Sequence, residues 1–377
     1  MQFRDLQRQY EVLKSKIDKS IQNVLNEANF IGGEQVYQLE EALAKYVGVK
    51  HCISCANGTD ALQLALMAWG IGDGDAVFTS DFTFFASAGC ASILGATPVL
   101  VDIDERTFNI DPNDLEAKIR ATLKEGKLKP KVIIPVDLFG LPADYPKINE
   151  IAKKYNLKVL EDGAQGFGGD INGKRVCSFG DISTTSFFPA KPLGCYGDGG
   201  AIFTDDDEIA TILISLKAQG RSPEDKYDNR AIGMNSRLDT IQAAILKVKL
   251  KAFIDYELEA VNTVAEKYTA KLRDIVETPY IPKGYYSSWA QYTIKLKDEK
   301  QRDELKAHLQ SEGIPSMVYY PRGLHQQTAY KNMNISDSLM PVTSDLVNRV
   351  LSLPMHPYLT DADIDKIVSN VIGFLNK

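Results

Sequence analysis

Short apolar segments alternate with longer amphipathic ones between residues 51 and 219. The apolar segments read HCISC, DAVFTS, TPVLVDI, KVIIPVDLF, LKVLED, DISTTSFF and GGAIFT. The amphipathic pattern between them predicts helices over 58–69, 84–94, 112–124, 144–155 and 206–219. Strands that alternate with helices in this way predict an α/β fold with a mainly parallel sheet, covered by helices on both faces. Residues 3–46 are also predicted to be mostly helical, with an interruption at 29–33.

The pattern changes toward the C-terminus. Residues 236–275 predict one or two long helices, and beyond Pro279 the spacing becomes mixed. WAQYTIKLK and SMVYY are predicted as strands, and QRDELKAHLQSEG and ADIDKIVSNVIGFLN as helices. This order is typical of a smaller α+β domain. We therefore predict a large α/β domain over 1–245 and a small domain over 246–377.

Composition and charge narrow the class of protein. The chain has 377 residues, 44% of them hydrophobic, and a net charge of −7 without a basic stripe, so nucleic acid is not an expected partner. It shows neither a secretory leader nor an apolar run of membrane-spanning length, which favours a cytoplasmic protein with no membrane partner. Cys52 and Cys55 form a C-x-x-C without a second pair or suitably spaced histidines, so we expect buried thiols and no metal site.

Lys191 is the first candidate for chemistry. It follows the buried-strand pattern STTSFF and precedes a turn rich in glycine, GCYGDGG. A lysine is usually a solvated surface charge, but glycines let the backbone approach a ligand, and burial disfavours the ammonium form. A neutral amine can form a Schiff base with a carbonyl, for which pyridoxal 5'-phosphate (PLP) is the common partner.

Asp162 ends the apolar segment LKVLED, where functional groups of open α/β sheets are found. Alone it is better explained as a helix cap or turn former. Beside a PLP lysine it acquires a second function, because a carboxylate at the pyridine nitrogen keeps the ring protonated and a better electron sink.

The segment NGTDALQLALMAWGIG predicts a helix that opens at Asn57 and Gly58 and closes at Gly70 and Gly72. Helix capping accounts for its first residues without any ligand. The free N–H groups of such a helix start also suit a phosphate. Both functions can hold together.

Six motifs in this order resemble the DegT-type family of sugar aminotransferases: NGTDAL, FTFFAS, LEDGAQ, SFFPAKPLG, GDGGAIFT and GMNSRLDTIQAAIL. The resemblance runs from FRDLQRQY near the start to LSLPMHPYL near the end. It implies a PLP enzyme with a large domain of the aspartate aminotransferase type (fold type I). Within the family, the chain most resembles aminotransferases of UDP-2-acetamido-2-deoxy-3-oxo-glucuronate.

The resemblance assigns roles at the cofactor. Lys191 would be the Schiff-base lysine and proton carrier, and Asp162 would pair with the pyridine nitrogen. The resemblance places Gln165 at the ring hydroxyl and Phe84 against the ring face, whereas an aromatic in FTFF is otherwise a core residue. The implied phosphate contacts are Gly58, Thr59, Ser186 and, from a neighbouring subunit, Asn235.

The resemblance also implies substrate contacts, namely Phe30, Arg237, Tyr319, Tyr320 and His325. An active site completed by Asn235 of a second copy would require a homodimer. Tyr319 stands where the family commonly has histidine, and an uncharged phenol would hold a uronate carboxylate less firmly. This difference does not affect the predicted transamination, but it bears on which sugar is bound.

The sequence thus predicts PLP-dependent transamination of a nucleotide-linked keto-sugar, with a UDP-2-acetamido-3-keto uronic acid as substrate and L-glutamate as donor. The product would serve surface polysaccharide (lipopolysaccharide) biosynthesis. One alternative is an aminotransferase of a dTDP-linked 3-keto or 4-keto deoxysugar. A non-catalytic regulatory protein on the same fold is a further alternative, which the intact Asp162, Gln165, Ser186 and Lys191 disfavour. A sugar dehydratase is disfavoured as well, because family dehydratases have lost the lysine.

Overall fold

The computed structural model describes residues 1–222, 224–225 and 227–376, so the last residue of the predicted small domain lies outside it. Two helices open the chain, α1 (Leu6–Glu27) and α2 (Glu34–Val47). The side chain of Asp5 caps α1 by accepting from the N–H of Arg8 at 2.8 Å. The predicted interruption at 29–33 separates the two helices.

The strands of the α/β part agree closely with the apolar segments. HCISC and DAVFTS form strands with the predicted bounds. The strand at KVIIPVDLF begins two residues earlier and ends five residues earlier than predicted, and the other segments are shortened by one to three residues. The strands are β1 (His51–Cys55), β2 (Asp75–Ser80), β3 (Thr97–Val101), β4 (Lys129–Ile134), β5 (Lys158–Asp162), β6 (Asp170–Ile171), β7 (Lys174–Arg175), β8 (Ile182–Ser186) and β9 (Gly200–Thr204).

Seven of these strands form one sheet in the order β1-β9-β8-β5-β4-β2-β3. Neighbouring strands are parallel except at β9, which runs antiparallel to both β1 and β8. The predicted mainly parallel sheet is therefore confirmed. In β9, Gly200 pairs with Cys55 on one side and Ser186 on the other, so the carboxyl ends of β1 and β8 lie close together.

Four helices connect successive strands of the large sheet and a fifth follows its last strand, all close to their predicted ranges. They are α3 (Gly58–Ala68), α4 (Ala86–Ile93), α5 (Pro112–Glu125), α6 (Tyr145–Tyr155) and α7 (Asp207–Leu216). Of these, α3 packs on β8 and β9, which places its N-terminus beside the ends of β1 and β8. The alternation of apolar strand and amphipathic helix thus builds the edge of the sheet where chemistry is expected.

The long helical region divides into α8 (Thr240–Ala252), a π-helical turn at Phe253–Glu257, and α9 (Leu258–Leu272). The remaining elements are β10 (Tyr285–Tyr286), β11 (Tyr292–Lys295), α10 (Glu299–Ser311), α11 (Pro341–Arg349), β12 (Val350–Leu353) and α12 (Asp361–Leu375). The strand predicted for SMVYY is wrong, because Met317 makes only an isolated bridge to Ser352. The partner of β11 is β12, a short segment that directly follows a helix without a turn signal.

The cores show where the two parts of the chain meet. Leu246, Leu250 and Phe253 of the long helical region pack in one cluster with Phe203 of β9. A separate cluster begins at Val261 and contains α9, β11, β12 and α12. The change of core therefore lies near the π-helical turn and not at 245, which falls inside α8.

In the part of the chain that the structure describes, no helix combines the length and the apolar composition needed to cross a bilayer.

Candidate active site

Lys191 lies half-buried in a tight loop after β8. Its N–H donates to the carbonyl of Phe188 at 2.9 Å, and Cys195 donates back to Phe187 at 2.8 Å. Gly194 is required for this turn, since a Cβ there would lie 2.5 Å from the carbonyl oxygen of Pro189. Burial lowers the pKa of the Lys191 amine, and the attraction of the Asp162 carboxylate opposes that change. The site thus favours a neutral amine, as a nucleophilic lysine requires.

Asp162 is the buried last residue of β5. Its Oδ2 accepts from the hydroxyl of Ser87 at 2.8 Å, and its Oδ1 accepts from the N–H of Ala164 at 3.2 Å. Burial raises the pKa of Asp162, while Ser87 and Lys191 act in the other direction. A carboxylate in such surroundings gains most from a cationic partner, and a protonated pyridine nitrogen is one.

The N-terminus of α3 lies directly beside Ser186. The side chain of Asn57 caps this helix by accepting from the N–H of Asp60 at 2.8 Å. A Cβ on Gly58 would lie 2.7 Å from the Cβ of Ser186, so only glycine permits this contact. The first-turn N–H groups of Gly58 and Thr59 have no partner within the helix because of their position. Together with the Ser186 hydroxyl they form a set of donors that suits a phosphate.

Phe84 and Gln165, the two residues predicted to contact the cofactor ring, differ in how far they are exposed. Phe84 is 57% exposed, whereas Phe82 is fully buried, as predicted for a core residue. Phe85, also predicted as core, stays 39% exposed and stacks on Tyr330 with ring centroids 5.2 Å apart. Phe84 therefore has a face available for stacking. Gln165 is not a surface amide, because it is buried at the edge of the same region.

Gln165 connects the sheet to the loop that carries the predicted substrate contacts. Its Oε1 accepts from the N–H of Phe139 at 3.1 Å, and its Nε2 donates to the hydroxyl of Tyr320 at 3.0 Å. One N–H of the amide remains for another acceptor. Tyr319, next to Tyr320, is half-buried, and its ring lies 6.2 Å from that of Phe3.

His325 takes a different place from the one predicted. Its side chain is 1% exposed, and its two ring nitrogens lie 2.6 Å from Asp81 Oδ2 and 2.9 Å from Asp337 Oδ1. Burial by itself would lower the pKa of His325, but the two carboxylates raise it overall. Both nitrogens are engaged within the chain, so His325 anchors the substrate loop to the end of β2 and has no donor left for a sugar.

Three further residues predicted to contact the cofactor or the substrate lie on two neighbouring surface segments, namely Asn235, Arg237 and Phe30. Side chains alternate along 235–240, with Asn235 and Arg237 exposed and Ser236 buried. The N–H of Thr240 donates to the carbonyl of Phe30 at 2.9 Å, and Phe30 is 46% exposed. Within its own chain, this segment is fixed to the start of α3, where the Ser236 hydroxyl accepts from the N–H of Ala56 at 3.0 Å.

Two residues at the site carried no signal in the sequence. Ser87 lies in the first turn of α4, and only the tertiary structure brings its hydroxyl to Asp162. Arg4 precedes α1, and its guanidinium donates to the main chain of Lys191 at 2.8 Å. A buried serine and an N-terminal arginine are ordinary in sequence, so neither could be singled out from spacing.

These residues fit PLP. A lysine amine whose pKa burial lowers, a buried carboxylate bonded by a serine hydroxyl, a helix start with a hydroxyl beside it, and an exposed aromatic ring match the aldehyde, ring nitrogen, phosphate and ring face of that cofactor. Because residue 58 is a glycine, the first turn of α3 lies directly against Ser186.

Comparison with known proteins agrees with this chemistry. The model of the DegT/DnrJ/EryC1/StrS aminotransferase family matches residues 11–372. The UDP-2-acetamido-2-deoxy-3-oxo-D-glucuronate aminotransferase of Pseudomonas aeruginosa is 46% identical over 365 residues, which cover 97% of each chain. The UDP-N-acetyl-3-dehydro-alpha-D-glucosamine 3-aminotransferase of Acidithiobacillus ferrooxidans is 41% identical, over 97% of this chain and 95% of its own.

A solved structure is similar over the whole chain. The crystal structure of a DegT DnrJ EryC1 StrS aminotransferase from Brucella abortus has a TM-score of 0.97 and 50% sequence identity. The match covers all of both chains.

Proposed function

This chain belongs to the DegT/DnrJ/EryC1/StrS aminotransferase family and is a PLP-dependent sugar aminotransferase; on that premise we propose its substrate and the roles of its residues. The proposed reaction transfers the amino group of L-glutamate to the 3-keto carbon of a UDP-linked 2-acetamido sugar uronic acid, for surface polysaccharide biosynthesis. The similarity to the Pseudomonas aeruginosa enzyme over nearly the full length of both chains carries the choice of sugar.

PLP, when bound, supplies an electron sink for the carbanion formed beside the transferred nitrogen. In the proposed site, Asp162 holds the ring nitrogen in its protonated form, and Ser87 orients that carboxylate. Gly58, Thr59 and Ser186 hold the phosphate. Phe84 packs on the ring, and Gln165 donates its remaining N–H to the ring hydroxyl.

Lys191 moves the proton in this proposal. Its Nζ, whose pKa burial lowers, would accept the proton from the α-carbon of glutamate in the first half-reaction and pass it to the cofactor carbon that bears the transferred nitrogen. In the second half-reaction the same nitrogen would take a proton back from that carbon and deliver it to C3 of the sugar. The Lys191 side chain would therefore both form the Schiff base and transfer the proton. Its place in a turn that contains glycine would keep Nζ close to the glutamate α-carbon and to C3 of the sugar.

We propose that the active site is shared between two copies of the chain. Asn235 and Arg237 point away from the body of their own chain, while Ser236 fixes the segment between them. An outward asparagine suits a phosphate held on a neighbouring copy, and in an isologous dimer both sites would be completed in the same way.

Mixing two inactive variants tests this arrangement. Dimers of a Lys191→Ala chain with an Asn235→Ala chain would contain one intact site. After subunit exchange, which light scattering with a tagged chain can confirm, activity should recover to about a quarter of the wild-type value. Confirmed exchange without recovery would exclude the shared site while leaving the transaminase assignment in place.

Arg237 and Phe30 are the proposed contacts to the sugar. A guanidinium can bind a carboxylate through two parallel hydrogen bonds, and the exposed ring of Phe30 can cover an apolar face of the sugar. Tyr319 contributes a hydroxyl without charge, so the uronate preference would rest mainly on Arg237.

A substrate panel tests the sugar. UDP-linked 3-keto uronate, the matching uncharged hexose, and dTDP-linked 3-keto and 4-keto deoxysugars should be offered with glutamate, with the products identified by mass spectrometry. We expect the highest kcat/KM for the uronate, together with formation of 2-oxoglutarate. Equal values for charged and uncharged UDP-sugars would remove the uronate, and a preference for a dTDP-sugar would favour the alternative substrate class.

Arg237→Lys sharpens the same test. It should raise KM for the uronate roughly tenfold and change KM for the uncharged hexose much less, because an ammonium cannot reproduce the bidentate fork. Arg230→Lys is a matched control, since Arg230 is exposed in a nearby loop and pairs with Glu224.

A further inference from the structure

Arg4 contacts the main chain of the lysine loop from a position far away in sequence. Its Nη2 donates to the carbonyl oxygens of Lys191 at 2.8 Å and Pro192 at 3.3 Å. A guanidinium presents rigid donors, and two acceptors on successive residues fix both the position and the orientation of a loop. No other side-chain hydrogen bond to these two carbonyls occurs among the residues described.

The segment that carries Arg4 is itself held in place. The carbonyl of Phe3 accepts from the N–H of Met355, two residues beyond β12, at 3.1 Å. The ring of Phe3 lies edge-on to Tyr319 of the substrate loop, with centroids 6.2 Å apart. Asp5 caps α1. Residues 3–5 therefore connect the lysine loop with the C-terminal part of the chain.

The charges around the Lys191 amine come from several elements. Asp162 at the end of β5 attracts the ammonium form, and Arg4 repels it. Burial lowers the pKa of Arg4 to about 10, with Glu257 opposing that change, so Arg4 remains charged at neutral pH.

The two acidic groups that line this cavity are hydrogen-bonded within the chain. Glu257 of the π-helical turn is bonded by the amide of Gln9 at 2.9 Å and by the hydroxyl of Tyr358 at 2.5 Å. Burial lowers the pKa of His356 to about 4, which keeps that ring neutral. Asp5 also lines the cavity and is engaged at the helix cap. Among the described residues that line this cavity, Arg4 is the one cation besides Lys191.

We propose that Arg4 is a positioning residue for Lys191, which fixes the main chain of the lysine loop through two hydrogen bonds and places a positive charge in the cavity that Lys191 lines, where it disfavours a proton on the Lys191 nitrogen. This inference rests on the assignment of Lys191 as the cofactor lysine. It gives the first residues of the chain a direct part in the reaction, although they belong to neither core that surrounds the site.

Two substitutions separate geometry from charge. Arg4→Lys keeps the positive charge and loses the rigid guanidinium whose Nη2 bonds both carbonyls, whereas Arg4→Gln keeps a donor and loses the charge. The readout is the pH dependence of the visible absorbance band of the PLP-loaded full-length protein without substrate. Arg8→Gln is the control, because Arg8 is exposed on α1 and pairs with Glu11.

We expect Arg4→Gln to move the midpoint of the absorbance titration to higher pH, because one repulsive charge is gone. Arg4→Lys should keep the midpoint near the wild-type value and lower kcat roughly tenfold, since the loop loses a charge-assisted bond. Arg8→Gln should change neither quantity.

The outcomes are distinguishable. A midpoint that stays in place in Arg4→Gln, or that moves equally in Arg4→Lys, would overturn the inference. Borohydride reduction and peptide mapping of the same samples test the premise, because a label elsewhere than on Lys191 would overturn the proposed site as well. If Arg4→Gln does not fold, Arg4→Lys decides alone: an unchanged kcat would refute the positioning role.

Discussion

Two regions of this molecule differ in how their proposed functional side chains are held. At the edge of the large sheet, Asp162 is buried and Lys191 half-buried, and hydrogen bonds from their own chain fix both segments. On the segment 235–240 and the neighbouring 28–33, Asn235, Arg237 and Phe30 are exposed. Proton transfer needs desolvation and fixed geometry, which strand ends provide. Recognition of a variable sugar and of a second copy can be carried by surface segments whose side chains find their partners outside the chain.

Removing the amine from the sheet edge should have the largest effect. Lys191→Ala should lower the rate by about three to four orders of magnitude or more, because nucleophile and proton carrier are lost together. Single-turnover formation of 2-oxoglutarate measures this, and thermal melting should show a retained fold. Lys158→Ala, at an exposed lysine of β5, is the control and should stay near the wild-type rate. If the Lys191→Ala variant turned over at a rate similar to the wild type, Lys191 would not be the catalytic lysine, and the proposed difference between the two regions would be refuted.

Neutralising the carboxylate at the same edge should have the next largest effect. Asp162→Asn should retain the cofactor and slow the first half-reaction by roughly one to two orders of magnitude, corresponding to a charge-assisted bond of ~1.5–3 kcal/mol. Stopped-flow absorbance with glutamate is the measurement. Asp198→Asn, at an exposed position in the lysine loop, should be silent. Equal behaviour of the two variants would show that Asp162 does not hold the ring nitrogen.

Removing the hydroxyl of Ser87, which is bonded to Asp162, should lower the rate less than the two changes above, and its effect should be largest at low pH. Ser87 lowers the pKa of Asp162 against the effect of burial, so Ser87→Ala should raise that pKa. As the pH falls, Asp162 then becomes protonated earlier, and the acidic limb of the pH–rate profile moves to higher pH. The rate near neutrality should fall about tenfold or less. Ser92→Ala on the same helix, whose hydroxyl lies near Tyr330, should leave the acidic limb in place; a matching shift there would point to α4 as a whole.

The smallest effect is expected where the substrate loop is anchored. The raised pKa of His325 means that its ion pairs stabilise the fold fully below its ordinary pKa of about 6.5 and that this contribution is lost as the pH rises through the raised value. Asp337→Asn should therefore lower the free energy of unfolding by about 0.5–1 kcal/mol at acidic pH and by less at alkaline pH. Denaturant titrations at both pH values measure this. Asp274→Asn is an exposed control, and a cost independent of pH would contradict the ion pair.

The accuracy of the sequence-based predictions differs between the large sheet and the substrate loop that contains Tyr319 and Tyr320. The bounds of β1 and β2 follow from apolar runs that end in polar residues, a signal that depends only on local composition. SMVYY carries a similar signal, but Val318, Tyr319 and Tyr320 pack against a hydrophobic cluster instead of joining a sheet. A short apolar run cannot show whether its partner will be a strand or a cluster of side chains.

By itself, the sequence determined the α/β alternation, the family, the cofactor and the candidate lysine and aspartate, because these depend on periodicity and on motifs with fixed spacing. Only the tertiary structure decided that Ser87 meets Asp162, that Arg4 meets Lys191, and that His325 is bound by two carboxylates. It also places the change from the first hydrophobic cluster to the second near the π-helical turn, whereas the sequence-based domain boundary lies at 245. The physical reason is that three of these contacts join residues 75 to 244 positions apart, and the fourth, between His325 and Asp337, joins residues 12 positions apart. No local pattern specifies which side chains so far apart in sequence will be brought within hydrogen-bond distance.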